Sequence, residues 1–406
     1  MRKIMKKTII SLGVFLFMFG WVIRSNVQAS TPVELYDNVW RLINSKYVDQ
    51  TNNEQDWRKW RHKYDNVIKT DADAYVAIET MVASLNDPYT KFLDPKEFQE
   101  ETSSIKGSLK GIGIQIGVKE GKLMVIAPIE DTPAEKAGLL ADDEILSIDG
   151  KSTKGITVDK AAEQIRGEEG TQVTLVIKRK DQEPKSYTIT RAEIEIKSVS
   201  QKVPNDIKMP SDICYIRLSS FISRNASKEF ANIVNSSTDK KSFIVDLRSN
   251  LGGLLSNAIY ISDMFLNGGA IVSTVDRDGY KETQKASKGV LTTKPVVILV
   301  DKGSASASEI FSGAMKDNKR AVIVGTQSFG KGLVQEINKL PNNSGINITI
   351  QKYLTPNGTD IHKKGITPDI IVELSEDDIK NKDDKQLKRA IEVAHELSSG
   401  NYVVKK

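Results

Sequence analysis

Short apolar segments rich in β-branched residues alternate with helical segments between residues 200 and 350. A strand that is covered on both faces appears as a continuous apolar run, whereas a half-exposed strand alternates with polar residues. The pattern therefore predicts an α/β core in which helices cover a largely parallel sheet. The predicted strands are 213–218, 243–247, 296–300, 321–324 and 346–350, and the predicted helices are 228–234, 254–265 and 305–317.

The chain of 406 residues is too long for one ordinary hydrophobic core. We expect a multidomain α+β chain around the α/β core. Apolar residues at helical spacing predict a helical N-terminal region, and we interpret its basic, aromatic stretch at 57–62 as packing rather than as a membrane or nucleic-acid surface. The predicted division is a leader at 1–29, the helical region at 30–100, a strand-rich domain at 101–190, the core at 191–372 and a helical tail at 373–406.

The first 29 residues have a basic start, an apolar stretch at 8–23 and small side chains at Val27 and Ala29. This pattern is typical of a secretory signal peptide, and the alternative is a retained membrane anchor. Both predict an exported protein, either secreted or membrane-anchored. The leader contains five basic residues and no acidic one, so it accounts for the whole net charge of +5. The neutral remainder argues against nucleic acid as a partner.

The composition gives little support for metal or redox chemistry. Cys214 is the one cysteine, so no internal disulfide can form, and its apolar neighbours predict a buried thiol. One cysteine and three histidines argue against a zinc site. We therefore expect no metal and no cofactor.

Residues 105–180 combine short alternating strands with short helices. The segment contains Gly-Ile-Gly-Ile at 111–114, Thr-Pro-Ala-Glu-Lys-Ala-Gly at 132–138 and Asp-Glu-Ile-Leu-Ser-Ile-Asp-Gly at 143–150. It resembles a PDZ domain, although Asp142 stands where a glycine often precedes the aspartate. Such a domain adds an extended peptide to a sheet edge and holds the terminal carboxylate with turn amides. The expected peptide-binding residues are Gly111, Ile112, Gly113, Ile114 and Ile116. The alternative is a domain with a purely structural role.

The segment Lys-Gly-Ser-Ala-Ser-Ala-Ser-Glu at 302–309 places a serine where a strand turns into a helix. Free N–H groups at a helix start can stabilise an oxyanion, and small neighbours let a substrate backbone come close. Ser306 is therefore a candidate nucleophile. With Glu309 it also forms a capping-box pattern, in which it would only start the helix. The octapeptide does not decide between these interpretations, nor does it exclude Ser304 or Ser308.

Lys331 lies between two glycines, beyond the strand predicted at 321–324. A strand–helix–strand unit returns the chain to the same end of a parallel sheet, so Lys331 can meet Ser306. Burial among apolar groups and glycine backbone would lower the lysine pKa and make the amine a base, although most loop lysines are exposed. The pair predicts a serine nucleophile activated by a lysine. The three histidines have no sequence context typical of a Ser-His-Asp triad: His62, His362 and His395.

Two further elements complete the predicted site. Gln335 lies on the strand after Lys331, where it can accept a hydrogen bond from the amine. The turn Asp-Leu-Arg-Ser-Asn-Leu-Gly-Gly follows a buried strand and ends in Gly252 and Gly253, which can bring a backbone N–H to the reaction centre. With the Ala307 N–H, this turn would form an oxyanion hole.

The combined motifs resemble the C-terminal processing peptidases, also called tail-specific proteases. The matching segments, which span nearly all of the chain beyond the leader, are 85–90 (Leu-Asn-Asp-Pro-Tyr-Thr), the PDZ-like segment, 246–253, 304–309, 330–335 and 365–369. The resemblance implies a serine–lysine site, with Ser306 as nucleophile, Lys331 as general base and Gln335 as its orienting partner. Departures from the family pattern leave these positions intact; they fall at Ser249, Leu251, Thr359 and Asp360.

We expect an exported serine endopeptidase that binds C-terminal or exposed tails of proteins, including membrane-associated ones, through its PDZ domain. Ser306 would form an acyl-enzyme that water hydrolyses. Arg166, at the end of the predicted PDZ helix, is a candidate for coupling peptide binding to cleavage. The helical ends are expected to form a homodimer, as the family suggests. The alternatives are a PDZ adaptor on an inactive scaffold, and an amidase or esterase for small molecules, which the peptide-binding domain disfavours.

Overall fold

The computed structural model describes residues 31–106, 108–119, 121–129, 132–195, 197–204 and 207–401. The predicted leader at 1–29 lies outside these residues. The fold is mixed α/β, as predicted, with a largely parallel sheet and several antiparallel sheets. None of the helices in these ranges is both long enough and apolar enough to cross a membrane.

The N-terminal region consists of helices that pack on each other and on a sheet of the core. Its elements are α1 (Pro32–Lys46), α2 (Asp71–Ala83), β1 (Lys91–Leu93) and α3 (Pro95–Lys106). Thr31 starts α1 with a capping box, in which its hydroxyl accepts the Glu34 N–H and the Glu34 carboxylate accepts the Thr31 N–H. The prediction of helix throughout this region is wrong at β1, which pairs with the core sheet.

The PDZ-like domain is an antiparallel sheet with short helices over a small apolar core. Its elements are β2 (Ser108–Gly111), β3 (Ile114–Lys119), β4 (Lys122–Pro128), α4 (Pro133–Lys136), β5 (Glu144–Ile148), β6 (Lys151–Ser152), α5 (Val158–Ile165), β7 (Gln172–Lys178), β8 (Lys185–Thr190) and β9 (Ala192–Glu195). The strand order β3-β4-β5-β7-β8 leaves β3 at an edge, while β2 pairs separately with β9. An unpaired edge is what strand addition by a peptide requires.

The α/β core contains the predicted alternation of strands and helices. Its elements are β10 (Val199–Ser200), β11 (Ile213–Leu218), α6 (Ala226–Ser236), β12 (Ser242–Asp246), α7 (Leu255–Asp263), β13 (Ala270–Asp276), β14 (Lys281–Lys285), β15 (Val296–Val300), α8 (Ala307–Asp317), β16 (Ala321–Gly325), β17 (Leu333–Lys339), β18 (Gly345–Leu354), β19 (Ile370–Ile371), α9 (Glu376–Lys380) and α10 (Lys385–Ser398). Strands β11, β12, β15, β16 and β19 are adjacent and parallel, and β10 adds antiparallel at one edge.

Successive residues of the parallel strands face opposite layers. On β11, Cys214 and Ile216 pack with α6, α7 and α8, whereas Ile213 and Tyr215 pack with α10. Burial on both faces explains why the strand sequences are apolar without alternation. Helix α10, which the sequence analysis places in a separate tail, thus covers the second face of the sheet through residues such as Leu387.

A second sheet of the core is antiparallel, and the sequence pattern did not separate it from the first. Its order is β1-β18-β13-β14, with β17 also paired to β18. The strand predicted at 346–350 lies within β18, where Ile346 and Ile348 pack against the N-terminal helices. This sheet joins the N-terminal region to the core, and it brings the 85–90 turn to the loop that contains Lys331.

Candidate active site

Ser306 and Lys331 line one cavity of about 570 Å³. The core contributes four loops that follow parallel strands: the loop after β11, the glycine turn after β12, the start of α8 after β15, and the loop after β16. The N-terminal region contributes α3 and the 85–90 turn. The lining is mainly apolar, with Ile105, Ile222, Leu251, Leu254, Leu255, Ile310, Leu333, Val334 and Ile337.

Ser306 starts α8 in a backbone conformation that side-chain-bearing residues rarely adopt, with φ 54° and ψ −112°. Such a conformation costs roughly 1–3 kcal/mol and persists only where the surroundings hold it. The Glu309 carboxylate accepts the Ser306 N–H at 2.9 Å, and the Glu309 N–H donates to the Ser306 carbonyl oxygen at 2.8 Å. Ser306 therefore begins the helix through its backbone groups, and it also lines the cavity.

The two competing serines are buried and make structural hydrogen bonds. Ser304 Oγ donates to the Leu247 carbonyl oxygen at 2.9 Å, and Ser308 Oγ donates to the Asn250 carbonyl oxygen at 2.9 Å. Neither residue is exposed, and neither lines the cavity. The fold thus distinguishes Ser306 from its neighbours, which the sequence pattern alone could not do.

Lys331 reaches the cavity from the loop after β16. Burial lowers the pKa of its amine, and the carboxylates of Asp87, Glu101 and Glu309 oppose that shift. Its Nζ lies 4.6 Å from the ring centre of Tyr89, a cation–π contact that also favours the charged amine. An amine whose pKa is lowered by burial can serve as a general base for a hydroxyl.

Glu309 connects the serine and lysine loops. Its carboxylate is buried and accepts four hydrogen bonds. A fully buried charge needs several hydrogen-bond donors. The donors are the N–H groups of Ser306 at 2.9 Å, Lys331 at 2.8 Å and Gly330 at 2.7 Å, with the Ser328 hydroxyl at 2.5 Å. The backbones of the two candidate catalytic residues are therefore tied to one side chain.

The glycine turn lies against the start of α8. A Cβ on Gly252 would lie 2.9 Å from the Ala307 nitrogen, and one on Gly253 would lie 2.2 Å from the Ile222 nitrogen, so larger residues do not fit. The Gly252 N–H already donates to the Asn250 side chain at 2.9 Å. Within the described part of the chain, the N–H groups of Gly253 and Ala307 have no acceptor. These two groups are the donors that remain for an oxyanion.

A buried ion cluster holds the glycine turn from behind. Arg248 contacts Asp246 and Asp384 with nitrogen–oxygen distances of 2.7 Å each, and the Tyr215 hydroxyl donates to Asp246 at 2.9 Å. Burial would raise the pKa of Asp246, but hydrogen bonds and charge from Arg248, together with the charge of Arg217, hold it below its usual value. Since Asp384 caps α10, the cluster also ties the C-terminal helix to the turn.

Gln335 lines the cavity from β17, next to a bulge in that strand. Its amide group lies 3.5 Å from Thr349 Oγ1, and Thr349 Oγ1 donates to Asp87 Oδ2 at 2.7 Å. The side chain is thus linked to the 85–90 turn, and its contact with the Lys331 amine stays a prediction.

The histidines lie outside this cavity. His62 pairs with Asp65 at 2.9 Å, and His395 pairs with Asp212 at 3.4 Å. His362 lines a neighbouring cavity on the other side of the 85–90 turn. In the described ranges, no group of three or more histidine, cysteine or acidic side chains is arranged to hold a metal ion.

The predicted peptide-binding residues of the PDZ-like domain line a separate groove of about 390 Å³ between β3 and α5; they are Gly111, Ile112, Gly113, Ile114 and Ile116. Gly113 has φ 80°, and a Cβ there would lie 2.3 Å from the side chain of Thr132, so the turn requires glycine. Arg166 lines the end of the groove, and its guanidinium pairs with Glu100 of α3 at 3.3 Å.

Residues 212–372 match the model of peptidase family S41, and residues 124–179 match that of the PDZ domain. The carboxyl-terminal-processing protease of Synechocystis sp. (strain ATCC 27184 / PCC 6803 / Kazusa) is 39% identical over 376 residues, covering 89% of this chain and 88% of that protein. The carboxy-terminal-processing protease of Bartonella bacilliformis is 41% identical over 342 residues, covering 80% and 77%. This chain belongs to the carboxyl-terminal-processing protease family.

A solved structure agrees with this assignment. The photosystem II D1 C-terminal processing protease aligns with a TM-score of 0.58 and 30% identity, over 92% of this chain and 98% of that chain. The protein is therefore a serine-type peptidase that carries a PDZ domain, as the motif resemblance implied.

Two residues at the protease cavity had no assigned role in the sequence analysis beyond capping or motif membership. Glu309 was considered only as the end of a capping box, yet it joins the two loops. The signal that could have revealed this role was a glutamate on the apolar helix α8. A buried carboxylate needs hydrogen-bond donors, which must come from elsewhere in the fold. Tyr89 belongs to the matching 85–90 segment, but no local pattern indicates that its ring lies against Lys331.

Proposed function

We propose that this protease is exported and that it cleaves proteins at C-terminal or exposed tails through a serine–lysine mechanism. The observation that carries the proposal is the cavity shared by Ser306, at a strained helix start, and Lys331, whose amine pKa is lowered by burial. The apolar walls bury part of the amine, which favours its neutral, basic form.

The reaction follows from these positions. The Lys331 amine accepts the hydroxyl proton of Ser306 as Oγ bonds to the substrate carbonyl carbon. The carbonyl oxygen becomes an oxyanion, for which the Gly253 and Ala307 N–H groups are the donors. The C–N bond then breaks, the departing amine takes the proton from Lys331, and an acyl-enzyme remains. Lys331 next removes a proton from water as the water oxygen bonds to the ester carbonyl carbon. The bond between that carbon and Ser306 Oγ then breaks, and Lys331 returns the proton to Oγ.

Two further residues and the peptide groove have supporting roles in the proposal. Gln335, on β17 beside the lysine loop, would orient the Lys331 amine by accepting a hydrogen bond. Gly252 lets the glycine turn approach α8, while its own N–H is engaged by Asn250. The groove at the free edge of β3 would hold the substrate tail as an added strand.

Arg166 is the proposed coupling residue between the two sites. It lines the peptide groove and also pairs with Glu100 of α3, the helix whose Glu101 and Ile105 line the protease cavity. A peptide that engages the groove can therefore act on α3 through this pair. The helical N- and C-terminal elements are the proposed homodimer surfaces, and membrane-associated proteins are proposed substrates.

The decisive experiment uses purified residues 30–406 and a protein with an unstructured apolar C-terminal tail. Cleavage is followed by mass spectrometry for the parent, Ser306→Ala, Lys331→Ala and the matched control Ser308→Ala. We expect cleavage to be lost in the first two variants and kept in Ser308→Ala, whose hydroxyl makes only a structural bond. Cleavage that survives Ser306→Ala would overturn the serine assignment.

The alternatives give different results in the same experiment. Tail binding without cleavage by the parent would favour an adaptor, or an enzyme that awaits an activator. Hydrolysis of a small ester without cleavage of the tailed protein would favour a small-molecule hydrolase. Sequencing the mature N-terminus tests export: a start at Ser30 indicates a cleaved signal peptide, and an intact leader indicates an anchor.

A further inference from the structure

Tyr353 is a buried residue of β18 whose hydroxyl lies between the serine and lysine loops. The hydroxyl donates to the Lys331 carbonyl oxygen at 2.5 Å and lies 3.2 Å from the Ser306 carbonyl oxygen. The N–H groups of the same two residues bond to the Glu309 carboxylate. Ser306 and Lys331 are thus each held at the N–H and at the carbonyl, and both holding groups are shared between them.

This arrangement bears on the strained backbone of Ser306. A residue with φ 54° and ψ −112° relaxes toward an ordinary conformation unless its peptide groups are held. Glu309 belongs to the same helix as Ser306 and also bonds to the lysine loop, so its bonds fix the serine relative to α8 and that loop but not relative to β18. Tyr353 belongs to the antiparallel sheet, and its bonds fix the serine relative to β18 and the lysine loop.

We propose that the Tyr353 hydroxyl is a positioning group for the protease reaction, holding Ser306 in its strained conformation and setting its position relative to Lys331. The inference rests on the proposed serine–lysine function. Displacement of reacting groups by about 1 Å can cost on the order of 100-fold in rate, so a shared anchor for both backbones has a direct kinetic effect.

The hydroxyl is suited to this task across the pH range of an assay. Burial raises the pKa of Tyr353 well above its ordinary value, so the group stays protonated and remains a donor. The ring lies in the main apolar cluster of the core, and phenylalanine would preserve that packing. Tyr353→Phe therefore removes the two polar contacts while leaving the volume of the core nearly unchanged.

The matched control is Tyr36→Phe. Tyr36 is equally buried, in α1, and its hydroxyl also donates to a backbone carbonyl, that of Trp60 at 2.6 Å. The control removes the same chemical group from a site whose hydroxyl bonds to neither Ser306 nor Lys331. We expect Tyr353→Phe to lower kcat roughly 10- to 100-fold, with KM within about twofold, and Tyr36→Phe to leave both within about twofold while Tm falls similarly in the two variants.

A second measurement does not depend on activity. Glycine accepts the conformation of residue 306 more readily than alanine, so Ser306→Gly should have a higher Tm than Ser306→Ala. We expect this Tm difference to shrink when Tyr353→Phe is added, because residue 306 can then relax. Ser306→Gly and Ser306→Ala, each with and without Tyr353→Phe, remain informative if Ser306 proves not to be the nucleophile. Failure of the positioning role and failure of the proposed function are therefore distinguishable.

The outcomes decide the proposal as follows. A kcat loss confined to Tyr353→Phe, together with a reduced glycine–alanine difference, supports it. Unchanged kcat in correctly folded Tyr353→Phe overturns the positioning role. An unchanged glycine–alanine difference overturns the claim that the hydroxyl holds the strain. In a further outcome, kcat falls in proportion to a loss of folded protein in both Tyr353→Phe and Tyr36→Phe. This outcome would show that the Tyr353 hydroxyl is an ordinary stabilising group and would overturn the positioning role.

Discussion

The protease cavity and the PDZ groove are held by different kinds of contact. Around the cavity, Glu309, Tyr353 and the ion pair of Asp246 with Arg248 are buried and fix backbone groups through hydrogen bonds. The groove instead presents the unpaired edge of β3 and apolar side chains. Its domain meets α3 of the protease body through exposed ion pairs, including Arg166 with Glu100.

The difference follows from what each surface has to do. The proposed cleavage needs a hydroxyl, an amine and two N–H donors in fixed relative positions, and buried polar networks surround the residues proposed for these roles. A sheet edge recognises the peptide backbone and can accept tails of varied sequence. Exposed ion pairs contribute little stability.

Removing a charge behind the glycine turn should destabilise the protein strongly. Asp246→Asn leaves Arg248 buried with only Asp384 as an ionic partner, and we expect a loss of about 3–5 kcal/mol in the free energy of unfolding. The matched control is Asp142→Asn in the PDZ domain, whose exposed pair with Lys119 should contribute under about 1 kcal/mol. Urea unfolding measures both, and equal losses would contradict the contrast between the two regions.

The contribution of the Asp246 carboxylate to the free energy of unfolding should depend on pH. The folded pKa of Asp246 is below its unfolded value, so its stabilising contribution is present above the unfolded pKa. That contribution is lost as the pH falls through the folded pKa. The stability difference between the parent and Asp246→Asn should therefore narrow in acid.

A carboxylate in the PDZ groove should weaken tail binding. Ile116→Asp removes apolar surface and repels a terminal carboxylate, and we expect Kd to rise about 10- to 100-fold, equivalent to about 1.4–2.7 kcal/mol. Ile126→Asp is the control, since this exposed residue of β4 does not line the groove. Fluorescence polarisation with a labelled tail and the Ser306→Ala background measures both. Equal weakening of tail binding by the two substitutions would indicate that the peptide does not bind at β3.

The two sites should also differ in their response to pH. Lys331 must be neutral to act as a base, so kcat/KM should rise about tenfold per pH unit on the acid limb, with a midpoint below the ordinary lysine pKa. Tail affinity should stay flat from pH 7 to about 9, because an exposed ion pair raises the pKa of Lys110 and arginine stays charged. A rate profile that is flat in this range would argue against Lys331 as the base.

The smallest effect is expected at the contact between the domains. Arg166→Ala should change stability by under about 1 kcal/mol, since its pair with Glu100 is partly exposed, yet it should abolish stimulation of cleavage by a tail peptide. Lys122→Ala is the control, because its partner Glu144 lies within the PDZ domain and Lys122 does not line the groove. Stimulation that persists in Arg166→Ala removes this residue from the coupling hypothesis.

Much of the site follows from local pattern. The strand–helix–strand unit of β15, α8 and β16 predicted that Ser306 and Lys331 meet, since parallel strands bring their carboxyl ends to one edge. The glycine turn was predicted because only glycine allows such close approach to α8. The engagement of the Gly252 N–H by Asn250 depends on side-chain geometry that no spacing encodes.

The antiparallel sheet could not be derived in the same way. Strand β1 pairs with β18 across more than half of the chain, and α10 covers a sheet whose strands are far away in sequence. Local propensity does not predict such pairings, because their stability comes from contacts between distant segments. The helical prediction for the N-terminal region was wrong at β1 for this reason.

The amino-acid sequence alone thus determined the α/β core, the PDZ-like segment and the candidate chemistry, because each depends on periodicity or on residue types within a short span. Only the tertiary structure distinguished Ser306 from Ser304 and Ser308, lowered the Lys331 pKa by burial, and placed the Tyr353 hydroxyl between the two loops. The physical reason is that burial and hydrogen-bond partners are properties of packed surfaces, which distant segments create together when the chain folds.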